Sequence, residues 1–191
     1  MKKEMDLATL YNRYVDDLFT YGCYLGFERE MVKDAIHDVF VKLTTDEVLL
    51  KNITQIKFYL FKSLKNRLLD IYKRMKREVT QGDVTPLEEI SFGEMPFQIV
   101  VNLEEDYIKE EEQELIKKEI EEMLNSLTPR QREIIYLRYV HEYEYNEIAE
   151  LLQISVHGCR KLVSKAILSL REKYGIAFLI ACQSGFILLR P

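Results

Sequence analysis

Between Asn146 and Leu170 the sequence reads NEIAELLQISVHGCRKLVSKAILSL, two apolar stripes at helical spacing on either side of a short polar break. Few folds accommodate that pattern. Ile148 and Leu152 are four apart and share a helix face. Ala149 beside them is small enough for a crossing helix to come close. Ser155 suits the N-cap of the following helix, where its hydroxyl can accept from an otherwise unpaired backbone N–H. In that second helix Val156, Cys159, Val163, Ala166, Ile167 and Leu170 form the expected buried stripe, which leaves His157, Arg160, Lys161, Ser164 and Lys165 outward. Two short helices, a tight turn and a basic second face describe a helix-turn-helix, whose second helix enters the DNA major groove. The rival reading is an ordinary helical pair with a solvated basic face. Gly158 costs about 1 kcal/mol of helix stability relative to Ala; it either lets the backbone approach a phosphate or is simply tolerated.

The stretch upstream, SLTPRQREIIYLRY, carries a clear helix start: Thr128 as N-cap, Pro129 at the first helical position and Gln131 closing a capping box. Arg130 and Arg132 at that start either meet a DNA backbone or serve solubility. Apolar spacing predicts three helices nearer the N-terminus. One runs from Leu7 to Leu25 on Leu7, Leu10, Tyr11, Tyr14, Leu18, Tyr21 and Leu25, and Gly26 ends it. A second covers Glu28 to Leu43 on Val32, Ala35, Ile36, Val39, Phe40 and Leu43. A third covers Gln55 to Lys76 on Phe58, Phe61, Leu64, Leu68 and Ile71 or Tyr72. Only 7 Gly and 4 Pro in 191 residues leave little room for a turn-rich β fold. The expected class is all-α: two small helical domains, residues 1–76 and 113–175, joined by an acidic linker over 77–112 and followed by an apolar tail over 176–191.

The formal net charge of −5 is unevenly distributed. Residues 1–76 hold 14 Lys and Arg against 11 Asp and Glu; residues 77–112 hold 2 against 11; residues 113–191 hold 11 against 10. The acidity belongs to the middle, where helical periodicity fails and Pro86, Gly93 and Pro96 interrupt the chain. That stretch reads as a linker that is ordered in part at most.

Cys23, Cys159 and Cys182 are far apart and odd in number, which argues against a disulfide framework, and no CxxC or histidine spacing suggests a metal. Cys159 reads as a small core residue. No cofactor is expected. Neither a Gly-rich phosphate loop nor a paired-carboxylate or His/Cys constellation supports an enzyme or a small-molecule substrate. The N-terminus lacks the apolar core of a signal peptide, so a cytoplasmic protein is expected. The tail IAFLIACQSGFILLRP is split by Gln183, Ser184 and Gly185 and is short for a membrane span. Packing back on the chain is its favoured reading, ahead of an external partner or a membrane.

SLTPRQREIIYLRYVHEYEYNEIAELLQISVHGCRKLVSKAILSLREKY resembles region 4 of bacterial RNA polymerase sigma factors. DAIHDVFVKL and YLFKSLKNRLLDIYKR resemble region 2, in the right order. Regions 2 and 4 alone, joined by a short linker, are the layout of the extracytoplasmic-function (ECF) group. The resemblance covers roughly residues 7–76 and 115–174. Thr44 and Tyr59 stand where the family often has Trp, and Gln153 stands where its turn usually has Gly, a geometry that Gln adopts at some strain.

The resemblance implies a non-catalytic protein that binds core RNA polymerase, through the β′ coiled coil and the β flap, and directs it to promoter DNA. It implies that His157, Arg160, Lys161, Ser164 and Lys165 meet the −35 element. The −10 element would be captured and melted by Asn52, Lys62, Lys65, Asn66, Arg67, Lys73 and Arg74, with the base-capture loop near Asn52 and Thr54. Asp34, His37, Asp38 and Val41 would grip the polymerase coiled coil. Asp70 would be structural, paired with a nearby Lys or Arg. The linker would thread the polymerase channel, its acids either mimicking phosphates or forming a plain spacer. An anti-sigma factor is an expected partner. The alternative is a stand-alone helix-turn-helix regulator, which has no need of the region 2 motifs.

Overall fold

The computed structural model describes residues 7–45, 55–79, 95–99 and 110–184. Asn52, Thr54, the acids Glu104, Glu105 and Asp106 and the tail residues 185–191 lie outside them. Of residues 176–184 only the backbone is described. Among the described residues every regular element is helical: α1 (Leu7–Tyr24), α2 (Arg29–Thr45), α3 (Ile56–Val79), α4 (Glu110–Asn125), α5 (Pro129–Ile135) continuing into a π-helical turn (Tyr136–Val140), α6 (Tyr145–Leu152) and α7 (Val156–Ser184). The chain divides into two compact units, Met1–Glu94 and Met95–Pro191.

In the N-terminal unit, α1, α2 and α3 pack each against the other two. The apolar spacing carries this directly: Leu10, Leu18, Tyr21, Val32, Ala35, Ile36, Leu43, Phe61, Leu64 and Leu68 are buried. Gly26, at φ 83°, ends α1 in a conformation that favours glycine. Gly22 lets α1 approach α2, since a β-carbon there would lie 2.5 Å from Val32 Cγ1. Tyr11 departs from its expected place: it is 42% exposed and lies edge-on to Phe40, with ring centroids 5.0 Å apart. Thr44 is exposed and its hydroxyl donates to the Val41 carbonyl at 2.6 Å, so a smaller residue at this position leaves no gap in the core.

In the C-terminal unit α7 packs against α5 and α6, and α4 lies against α7. The Tyr174 hydroxyl of α7 donates to the Glu122 carbonyl of α4 at 3.1 Å. The capping box at Thr128 is formed as read: Gln131 N donates to Thr128 Oγ1 at 3.3 Å, and Thr128 N donates to Gln131 Oε1 at 3.0 Å. Helix α7 is interrupted at Gly175, whose φ of 50° and ψ of −120° are not helical. The stretch read as linker is shortened at both ends, by α3 running to Val79 and α4 starting at Glu110. In its middle, Met95, Phe97 and Ile99 are buried.

Candidate nucleic-acid and partner interfaces

The turn between α6 and α7 closes on Gln153, which takes the left-handed conformation at φ 52°, ψ 48°. The strain read from the sequence is therefore real: a β-carbon in this region costs about 1 kcal/mol or more. The Ile154 backbone N–H donates back to the Ala149 carbonyl at 2.9 Å. Ser155 then caps α7, its Oγ accepting from Gly158 N at 3.0 Å. Gly158 sits so close to this cap that a β-carbon would lie 3.1 Å from the same oxygen.

On α7, Cys159, Val163, Ala166 and Leu170 are buried, while His157, Arg160, Lys161, Ser164 and Lys165 are all exposed. Val156, expected in the buried stripe, is 39% exposed at the first position of α7. Burial pushes the Cys159 thiol pKa up, against the opposing pull of Arg138, Arg130 and Arg160. It is a core side chain, held as the neutral thiol. Arg160 does not project alone. Its guanidinium carbon lies 5.5 Å from the centroid of the Tyr145 ring at the start of α6. Arg138 lies 4.9 Å from the same ring and donates to the Tyr143 carbonyl at 2.8 Å. Tyr145 thus ties the exposed face of α7 to the π-helical turn, a contact that sequence spacing does not reveal.

Arg130 and Arg132 both have partners within the unit. Arg130 Nη2 donates to the Leu152 carbonyl at the end of α6, and its Nη1 lies 3.8 Å from the buried Glu133 carboxylate. Arg132 donates to Asn125 Oδ1 at 3.0 Å, and burial lowers its pKa. Arg130 is thus engaged inside the unit, while Arg132 is half-buried and paired near the surface.

In the N-terminal unit, Asp34, His37, Asp38 and Val41 are exposed together along α2, with Val41 44% exposed. Asp38 also accepts from Arg67 of α3, at 2.6 Å from Nη2 and 2.8 Å from Nε. The two residues were expected at different interfaces, yet they form one ion pair. Asp70 is exposed, and Asp38 is the carboxylate that joins α2 to α3. Lys65 is the clear correction: it is fully buried and partnered within the protein, so it does not face DNA. Its position in the apolar register of α3 decides this, since Leu64, Leu68 and Leu69 around it are core residues. Asn66 and Arg74 are exposed, and Lys62 and Lys73 are half-buried. Lys62 lies 6.0 Å from the Phe58 ring centroid. Of the α3 residues expected at the −10 element, Lys62, Asn66, Arg67, Lys73 and Arg74 are at least partly accessible, with the exposed Asp70 among them.

Among the described residues no cluster of His, Cys, Asp and Glu could hold a metal ion. No helix among them is long and apolar enough to cross a membrane.

Residues 117–178 match the family "Sigma-70, region 4". Over 174 residues the chain is 25% identical to RNA polymerase sigma factor YlaC of Bacillus subtilis, covering 90% of this chain and 94% of that protein. It is 21% identical over 170 residues to the ECF RNA polymerase sigma factor SigM of the same organism, covering 89% of this chain and 96% of that one. The fold is similar to that of the sigma factor RpoE of Bartonella quintana, solved as a co-crystal with the anti-sigma factor NepR, at a TM-score of 0.59 and 20% identity. That match covers 87% of this chain and 95% of the other.

Proposed function

We propose that the chain is a bacterial RNA polymerase sigma factor of the extracytoplasmic-function group, to whose members it is similar, and that it carries core polymerase to a two-part promoter and assists in opening it. A sigma factor acts in transcription initiation and is not itself a catalyst. In this reading α7 enters the major groove at the −35 element through His157, Arg160, Lys161, Ser164 and Lys165. A guanidinium paired with a guanine edge supplies about 1–3 kcal/mol of discrimination. The others position the helix on phosphates. The −10 strand is held by the α3 stripe Lys62, Asn66, Lys73 and Arg74, together with Asn52 in the preceding connection. Arg67 contributes by way of its pair with Asp38. The outward face of α2, Asp34, His37, Asp38 and Val41, grips the β′ coiled coil, while the C-terminal unit meets the β flap. The site of action is the cytoplasm, where polymerase and promoter are. An anti-sigma partner is part of the proposal, supported by the Bartonella complex.

The observation that carries most weight is the exposure of five polar or basic side chains on one face of α7, opposite a fully apolar buried stripe. Reconstitution with bacterial core polymerase is the test: promoter-dependent initiation is expected, and co-purification without start-site selection would refute the reading. Because Asp38 is committed to Arg67, a substitution there disturbs the N-terminal unit itself. His37→Ala with Val41→Ala is the cleaner probe of core binding, with loss of affinity and an unchanged helical spectrum expected.

A further inference from the structure

Within the acidic stretch lies a short run without charge, MPFQI, residues 95–99. Its burial alternates. Met95, Phe97 and Ile99 are 3%, 1% and 8% exposed, while Pro96 and Gln98 between them are exposed. That period of two belongs to an extended segment laid across a surface. Phe97 faces Tyr136 in the π-helical turn, with ring centroids 5.6 Å apart at 53°. Tyr136 in turn lies edge-on to His141 at 4.8 Å, and His141 neighbours Tyr143 at 6.1 Å. The compact C-terminal unit begins at Met95. We propose that residues 95–99 are a strap fastened to the C-terminal unit through Phe97, and that the strap, by shortening the tether between the two units, limits how far apart they can move in the free chain.

Chain geometry gives the size of the effect. From Val79, the last residue of α3, to Met95 is sixteen residue steps, and to Glu110, the first of α4, thirty-one. At roughly 3.3–3.6 Å per residue the fastened tether reaches at most about 55 Å, and the released one about 105 Å. A side chain buried in a plain spacer has no such consequence; a side chain that pins the middle of the spacer divides its reach in two.

The test is single-molecule energy transfer on the full-length chain, with dyes at the exposed positions of Lys33→Cys and Glu150→Cys in a background where Cys23 and Cys182 are Ser. Phe97→Ala is expected to extend the long-distance edge, by up to about twofold in tether reach, and Phe97→Leu to extend it less. Fifteen Gly and Ser residues inserted between Glu94 and Met95 should extend it with Phe97 intact. The same insert between Ile99 and Val100 should leave it unchanged unless Phe97 is also Ala, because both of its ends are then held on one unit. An equal extension from both inserts in the Phe97 chain overturns the strap.

Discussion

Gln153 shows how one residue can hold both a turn and a cost. It sits at φ 52° and ψ 48°, where a side chain meets its own backbone and glycine does not. Gln153→Gly is expected to stabilise the C-terminal unit by about 1 kcal/mol, less whatever the freer unfolded chain removes, and Gln153→Val to destabilise it. Thermal unfolding of the three proteins ranks them; a lower midpoint for the glycine variant would contradict the strain. Tyr145 is the other residue whose role lies in geometry. With Arg138 and Arg160 at 4.9 and 5.5 Å from its ring, it holds Arg160 against the edge of α6, an interaction of order 0.5–1 kcal/mol at an exposed site. Tyr145→Ala should lower affinity for −35 DNA about two- to fivefold, and Tyr145→Phe should keep it. The loss should vanish in an Arg160→Ala background. Full additivity in that double-mutant cycle would show that the ring acts by some other route.

Helices and their buried faces were legible because periodicity encodes them. The face of α2 reads off as Val32, Ala35, Ile36, Val39, Phe40 and Leu43, all of which are buried. The start of α5 reads off from Thr128, Pro129 and Gln131. Periodicity errs at its edges, where Tyr11 and Val156 are exposed, and it says nothing of which charged side chain meets another element, where the larger corrections fall. Lys65 looked like one more cation on a basic helix; Arg67 and Asp38 looked like members of two separate interfaces. Arg130 is the sharpest instance. Its guanidinium reaches across 22 residues of sequence to the Leu152 carbonyl, one of the unpaired acceptors at the end of α6. It also faces Glu133, which is only 3% exposed. Arg130→Met should therefore cost roughly 3 kcal/mol, since it leaves a carbonyl uncapped and a buried carboxylate without its arginine. Chemical denaturation measures this directly. An unchanged midpoint would return Arg130 to the surface.

At the scale of the whole molecule the charge map becomes an electrostatic device. The chain carries a net −5, and its excess of acid over base lies in 77–112, which begins at the end of α3 and precedes the cations of α7. Fields of exposed charges reach about 8 Å at physiological ionic strength and about 30 Å at 0.01 M. Acids tethered to both units should therefore oppose an approaching polyanion in dilute salt and cease to do so in concentrated salt. Glu104→Gln, Glu105→Gln and Asp106→Asn together should strengthen binding of the free chain to nonspecific duplex DNA at low salt, with the gain shrinking to nothing by about 0.5 M. Lys161→Ala should do the opposite in a distinguishable way. As loss of the proposed phosphate contact, it should weaken binding and make the slope of log K against log salt shallower by about 0.9. The two substitutions act on one measured line, one through repulsion from a distance and the other through counterion release at the contact. Were the triple variant to bind DNA no better than the parent at 0.02 M salt, the acids would have no hold on the DNA-facing helices, and the charge map would be a matter of solubility alone.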